Sequence, residues 1–270
     1  MTQERFRVQK KAGSRLLALL LAFALAASLL PISASADVGE MNEMAAQFEE
    51  NLAAAQEIMD DGGFLAPIGE VAVDSVAISN RAELEAITSN LAGTYHLTAD
   101  IDLSDTEWIP IGDSENPFSG VFDGQGHKIS NLTITGDSYQ YNGLFGYVRD
   151  ATIKNVGMVG TNINVSSSSS AGGIAGIAYA SESSSLTIEN CYNTGDVSSL
   201  SSSSSTNAGG IAGEVYTSSV AAGHSSDSDI GIANCYNTGT VSASSSSSSY
   251  ASVAGGIVGR AYVYHGFSRD

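Results

Sequence analysis

Carboxylates are the residues most able to do chemistry in this chain. Asp100, Asp102, Asp105, Glu107, Asp113, Glu115 and Asp123 crowd one short stretch. Oxygen ligands at that density suit Ca²⁺, and a Ca²⁺-bound carboxylate beside a Lys or Arg base would suit elimination from an acidic polysaccharide. The bases within reach in sequence are Lys128, Arg149 and Lys154. Solvated carboxylates capping turns are the plainer reading of the same spacing, so no catalytic residue is assigned. Asp100, Asp102 and Asp123 remain the candidates for a structural Ca²⁺, and no other cofactor is implied. Asp123-Gly124-Gln125-Gly126-His127 could place an Asp and a His on one metal, but glycine turn chemistry accounts for it without one. His96, His224 and His265 have no His or Cys partner at ligand spacing.

Two further pairs stand out because they repeat. Cys191-Tyr192 and Cys235-Tyr236 both sit inside the hexapeptide Asn-Cys-Tyr-Asn-Thr-Gly. On successive layers of a stacked fold the two cysteines would lie within disulfide reach, although parallel neighbours seldom offer good S–S geometry. Buried thiols acting as small hydrophobes are the expected state. Tyr192 and Tyr236 are expected to face outward as a stacked pair, either stabilising the stack or meeting a ligand.

The elements that must position these residues come from a repeat. One word is Ile-x-Asn followed by an apolar residue, at Ile129-Ser130-Asn131-Leu132, Ile153-Lys154-Asn155-Val156, Ile188-Glu189-Asn190-Cys191 and Ile232-Ala233-Asn234-Cys235. The other is a glycine before an aliphatic strand start, at Gly143-Leu144, Gly173-Ile174, Gly210-Ile211 and Gly256-Ile257, with a weaker copy at Gly120-Val121. The words alternate. Their shortest spacing, about 23 residues, predicts a rung of three short strands and three turns. Longer spacings arise from the serine runs Ser166–Ser170, Ser201–Ser205 and Ser245–Ser249, which read as loops. The fold class that follows is all-β: a right-handed, single-stranded parallel β-helix.

Strand alternation adds a detail. The Ile and the residue three positions later are both apolar, and both can face inward only if the chain bends at the Asn, a residue that tolerates the left-handed conformation. Asn131, Asn155, Asn190 and Asn234 are therefore expected to form an internal ladder, hydrogen-bonded from rung to rung. Leu144, Ile174, Ile211 and Ile257 should form an aliphatic one.

The chain's beginning has a different texture. Arg5, Arg7, Lys10, Lys11 and Arg15 precede the apolar run Leu16 to Leu30, then Pro31 and Ala34-Ser35-Ala36. Fifteen apolar residues make a helix of about 22 Å, too short for the hydrocarbon core. Residues 1–36 thus read as a cleaved export signal. Without them the net charge moves from −18 to near −22, which excludes nucleic acid and anionic membranes as partners. Residues 37–70 read as an acidic amphipathic helix and linker, residues 71–118 as a cap and lead-in strands, and residues 119–270 as the repeat array. The cap should be a helix over Ala82 to Leu91, with Ser79 or Asn80 as N-cap. The final glycine word is followed by no Ile-x-Asn word, so the array is expected to continue past Asp270.

Gly143-Leu144-Phe145-Gly146, the GGIAG and GGIVG copies and both NCYNTG copies resemble the GLUG-motif family of bacterial surface and secreted proteins. So does the lead-in through Trp108-Ile109-Pro110-Ile111-Gly112 and Phe118 to His127. The resemblance covers about residues 77 to 270. It implies a β-helix in adhesin-like proteins or in accessory regions of IgA-cleaving metalloproteases, and the absence of HExxH means that it implies no protease activity here. The function expected is an extracellular, adhesin-like binding or structural module, with host or cell-wall glycans or proteins as partners and association with the cell wall. The alternative is a carbohydrate-active β-helix enzyme of the lyase or glycosidase kind.

Overall fold

The computed structural model describes residues 74–265, apart from 167–169, 203, 220–227 and 248. The export signal and the acidic helix expected over residues 37–70 lie outside the described residues.

Nearly every element is a short strand, and every recorded pairing is parallel. Apart from Val76–Ile78 with Thr94–Leu97, neighbours in each sheet come from successive turns of the chain rather than from consecutive strands. That is a parallel β-helix. The rung differs from the expected one: it carries five strands, one on each of five lateral faces. The first full rung runs Val121–Asp123, Lys128–Ser130, Thr133–Gly136, Tyr141–Asn142 and Phe145–Arg149. Three more rungs repeat this order, and the last ends on Val258–His265.

Val121 pairs with Thr152, Thr152 with Thr187 and Thr187 with Gly231, so successive rungs take 31, 35 and 44 residues. The spacing near 23 is not a rung. Gly120-Val121 opens the first face, whereas Gly143-Leu144 leads into the fifth. Each later glycine word likewise closes a rung rather than opening one.

Inward residues repeat down each face. Phe122, Ile153 and Ile188 are fully buried in register, as are Leu144, Ile174 and Ile211, the expected aliphatic ladder. Ile232 and Ile257 continue the stacks, partly buried. Glycines set the sharp corner before that ladder: a side chain at Gly209 would sit 1.9 Å from the Ala212 carbonyl oxygen. Among the described residues the serine runs are loops, as expected, with only Ser170, Ser201 and Ser245 at strand ends. Asp196–Ser201 is a strand whose Val197, Ser199 and Ser201 point inward while Leu200 is exposed. Serine is small enough to fill a narrow corner of the rung, and alternation then sends the leucine out.

The cap is a short helix, α1 (Arg81–Glu85), continued by a 3₁₀ turn over Ala86–Ser89. The Asn80 side chain accepts the Glu83 N–H at 3.0 Å, and the Glu83 carboxylate returns to the Ser79 N–H and hydroxyl. Leu84 and Ile87 are buried from it, and the Arg81 guanidinium lies 5.7 Å over the Trp108 ring while donating to the carbonyls of Leu103, Thr106 and Glu107. Beneath it the core is aromatic, with Phe118 and Phe145 centroids 4.6 Å apart and Phe122 edge-on to Phe145.

Candidate functional site

The residues singled out in the sequence fall into two corners and one stacked pair. All four asparagines adopt the left-handed conformation, φ 52° to 60°. Three form a ladder: Asn234 Nδ2 donates to Asn190 Oδ1 at 3.2 Å, and Asn190 Nδ2 to Asn155 Oδ1 at 2.9 Å. Its first step is Asp123, not Asn131, since Asn155 Nδ2 donates to Asp123 Oδ1 at 2.9 Å. Asn131 belongs to the next corner, beside Gly160, and donates to Asp102 Oδ1 instead. Both corners need a residue at positive φ, so both recruit the same short word, and the sequence alone cannot tell them apart. Nor is the ladder internal: Asn155 is buried, Asn190 is half-buried, and Asn234 is exposed.

The three Ca²⁺ candidates are occupied one by one. Asp100 accepts from the Lys128 N–H and pairs with His127 at 2.9 Å. Burial opposes its ionisation, but these partners outweigh it and hold the carboxyl below the usual range. Asp102 is held low by Asn131 and by the Ser104 N–H and hydroxyl. Asp123 accepts from Gln125 and Asn155 and lies 3.6 Å from Lys154. Each carboxylate closes a different turn, and among the described residues no three metal-ligating side chains converge.

Cys191 and Cys235 are free thiols on adjacent rungs, and burial raises the Cys191 thiol well above its ordinary value. Their tyrosines stack as expected, centroids 5.0 Å apart and 6° from parallel. The outward, ligand-facing expectation fails for Tyr192. Its ring lies flat over the bare Gly157 of the preceding rung, and the residue is 6 % exposed. This pair is packing.

The fifth face carries what the words did not predict. Tyr147, Ile177, Glu214 and Arg260 succeed one another in register along one line of the stack. Two residues further, Arg149, Tyr179, Tyr216 and Tyr262 form the parallel line. The rings of Tyr179 and Tyr216 stack at 4.8 Å and those of Tyr216 and Tyr262 at 5.1 Å. The Tyr147 and Tyr216 hydroxyls are hydrogen-bonded to each other, and Tyr179 donates to Ser218.

Glu214 stands at the centre of this face, 9 % exposed. Its Oε2 accepts from Asn207 Nδ2 at 2.7 Å and Ser170 Oγ at 3.0 Å, and its Oε1 accepts the Tyr262 hydroxyl at 2.6 Å. Three donors fill three of about four lone-pair positions, leaving capacity for one more. Burial raises the Tyr147, Tyr216 and Tyr262 phenols, and the carboxylate's charge raises Tyr262 further. They are therefore neutral donors and acceptors across the ordinary pH range. The Arg260 guanidinium lies 4.7 Å over the Tyr262 ring.

Ser170, Asn207, Glu214, Tyr216, Arg260 and Tyr262 line a groove of about 290 Å³. Gln140 and Tyr141 form one end of it and are shared with a second groove of about 520 Å³, which runs on past Tyr139, Pro110 and Ile109. The signal that could have found this site is the variation itself: GIAYA, GEVYT and GRAYV follow the same glycine word with a different residue at the second place.

No family model matches the chain. It is 32% identical over 97 residues to a Gly-rich membrane protein of Evansella cellulosilytica, covering 33% of this chain and 11% of that protein. It is 35% identical over 136 residues to Halomucin of Haloquadratum walsbyi, covering 44% of this chain and 1% of that one. The chain thus spans only a small part of either relative. Among solved structures it resembles a Bacteroides ovatus protein described as an immunoglobulin A1 protease, with a TM-score of 0.53 and 29% identity, over 76% of this chain and 58% of the other. That likeness agrees with the β-helix. No helix among the described residues is long and apolar enough to cross a membrane.

Proposed function

We propose that this chain is an extracellular, adhesin-like binding module of the GLUG-motif kind, exported through residues 1–36 and held at or beyond the cell wall. The observation that carries this reading is the fifth face, where a buried carboxylate, an exposed guanidinium and stacked tyrosines border one groove. The acidic surface keeps such a rod hydrated and away from nucleic acid and anionic membrane. The Halomucin and Gly-rich membrane protein names suit a surface setting.

The test is a binding screen of the chain against glycans, mucins and matrix proteins. Saturable binding to at least one class is the expected result, and silence across all three would remove the reading. Carbohydrate-active chemistry is the weaker alternative. Glu214 is the sole carboxylate among the described residues lining its groove, and glycosidases work with two. Incubation with pectin or alginate plus Ca²⁺ tests it, and new unsaturated or reducing ends would favour it over the binding reading.

A further inference from the structure

We infer that the Glu214 groove is a binding site for an uncharged, hydroxyl-rich chain, a neutral oligosaccharide lying along the stack rather than across it. This rests on the binding-module reading and names its ligand.

The chemistry of the lining excludes the other ligand classes in turn. An anion entering the groove would meet the buried Glu214 carboxylate in a chain of net charge −18. A cation would be welcome to Glu214 but opposed by Arg260, its direct neighbour one rung on. An apolar ligand would take water from the polar lining groups Gln140, Glu214 and Arg260 and give no hydrogen bond back. A hydroxyl group suits all of them, because it donates to the remaining carboxylate position and accepts from the guanidinium. The Tyr262 phenol, whose proton goes to Glu214, can still accept from such a hydroxyl, and the Tyr141 phenol can donate or accept.

Geometry supplies the length. The lead-in strand joins this face through bridges from Ile111 to Phe145 and from Phe118 to Val148, and four rungs follow. Five levels at ~4.8 Å per step span about 19 Å, enough for several sugar units. Gln140 and Tyr141 border both grooves, which places them next to each other on the stack. The Glu214 end is built in advance. Its carboxylate is fixed by three donors and its tyrosines by mutual stacking, so little side-chain entropy is lost on binding.

The experiment titrates the full chain, by calorimetry, with neutral linear glucan, xylan and mannan oligosaccharides of one to six units. A cationic chitosan oligomer and an anionic oligogalacturonate serve as charged probes. Affinity should rise with length through at least four units for one neutral series and exceed that for either charged oligomer at least tenfold. Glu214→Gln and, separately, Arg260→Ala should each weaken it at least tenfold. Arg260 is exposed, so its removal leaves the fold intact even if the Glu214 variant is unstable. Preference for a charged oligomer, or neutral binding indifferent to both variants, would overturn the inference. Absence of oligosaccharide binding beside saturable binding to a matrix protein would also overturn it, yet leave the binding-module reading standing. Silence in every arm would remove both.

Discussion

The asparagine corner and the tyrosine face are built by the same stacking but use it in opposite ways. At the corner, Asp123, Asn155, Asn190 and Asn234 present nearly the same side chain at each level, each hydrogen-bonded to the one below. On the face, Tyr147, Ile177, Glu214 and Arg260 present four different chemistries at equivalent positions. A ladder gains from identity, because each member satisfies its neighbour's donor and acceptor. A site gains from difference, because a ligand must be met by unlike groups. Side chains also differ level by level on the first face, at Asp123, Lys154, Glu189 and Ala233, so what sets the fifth face apart is that its unlike groups border a groove.

The comparison can be broken most forcefully at the corner. Asn190→Val removes both ladder hydrogen bonds and forces a β-branched residue to φ 53°. A cost of about 3–4 kcal/mol is expected, read as a lower urea midpoint at unchanged slope. Asn190→Gly keeps the left-handed backbone and loses only the bonds, so about 1–2 kcal/mol should remain. Equal losses in the two variants would show that the bend, not the ladder, is dispensable.

The face should respond the other way. Arg260→Ala should change stability by less than about 0.5 kcal/mol, since the residue is an exposed surface position, while weakening oligosaccharide binding at least tenfold. A large stability loss would make the face structural and erase the contrast.

The smallest effect expected is a pH dependence at the second corner. Asp102 is depressed by its hydrogen bonds from Asn131 and Ser104. A depressed carboxyl contributes stability above its unfolded value near 4, and this is lost as pH falls through the folded value. Melting temperature should therefore drop below about pH 4. Asp102→Asn should flatten part of that slope; an unchanged slope would remove this corner from the acid response.

Much of this was readable in the residues. Parallel stacking, the left-handed bend at Ile-x-Asn, the Leu144–Ile257 ladder, the Asn80 cap and the Tyr192–Tyr236 stack all follow from local patterns. Such patterns state which way a residue faces and which φ it tolerates. The rung's five faces did not follow, because the word at Ile129 matches the one at Ile153 although it turns a different corner.

By itself, then, the sequence determined the kind of layer and the residues able to turn it, since both depend on neighbours within four positions. Only the tertiary structure decided which word lies over which, because register is fixed by packing between residues more than thirty apart. That register brings Ser170, Asn207, Glu214 and Tyr262, from three different rungs, around one carboxylate.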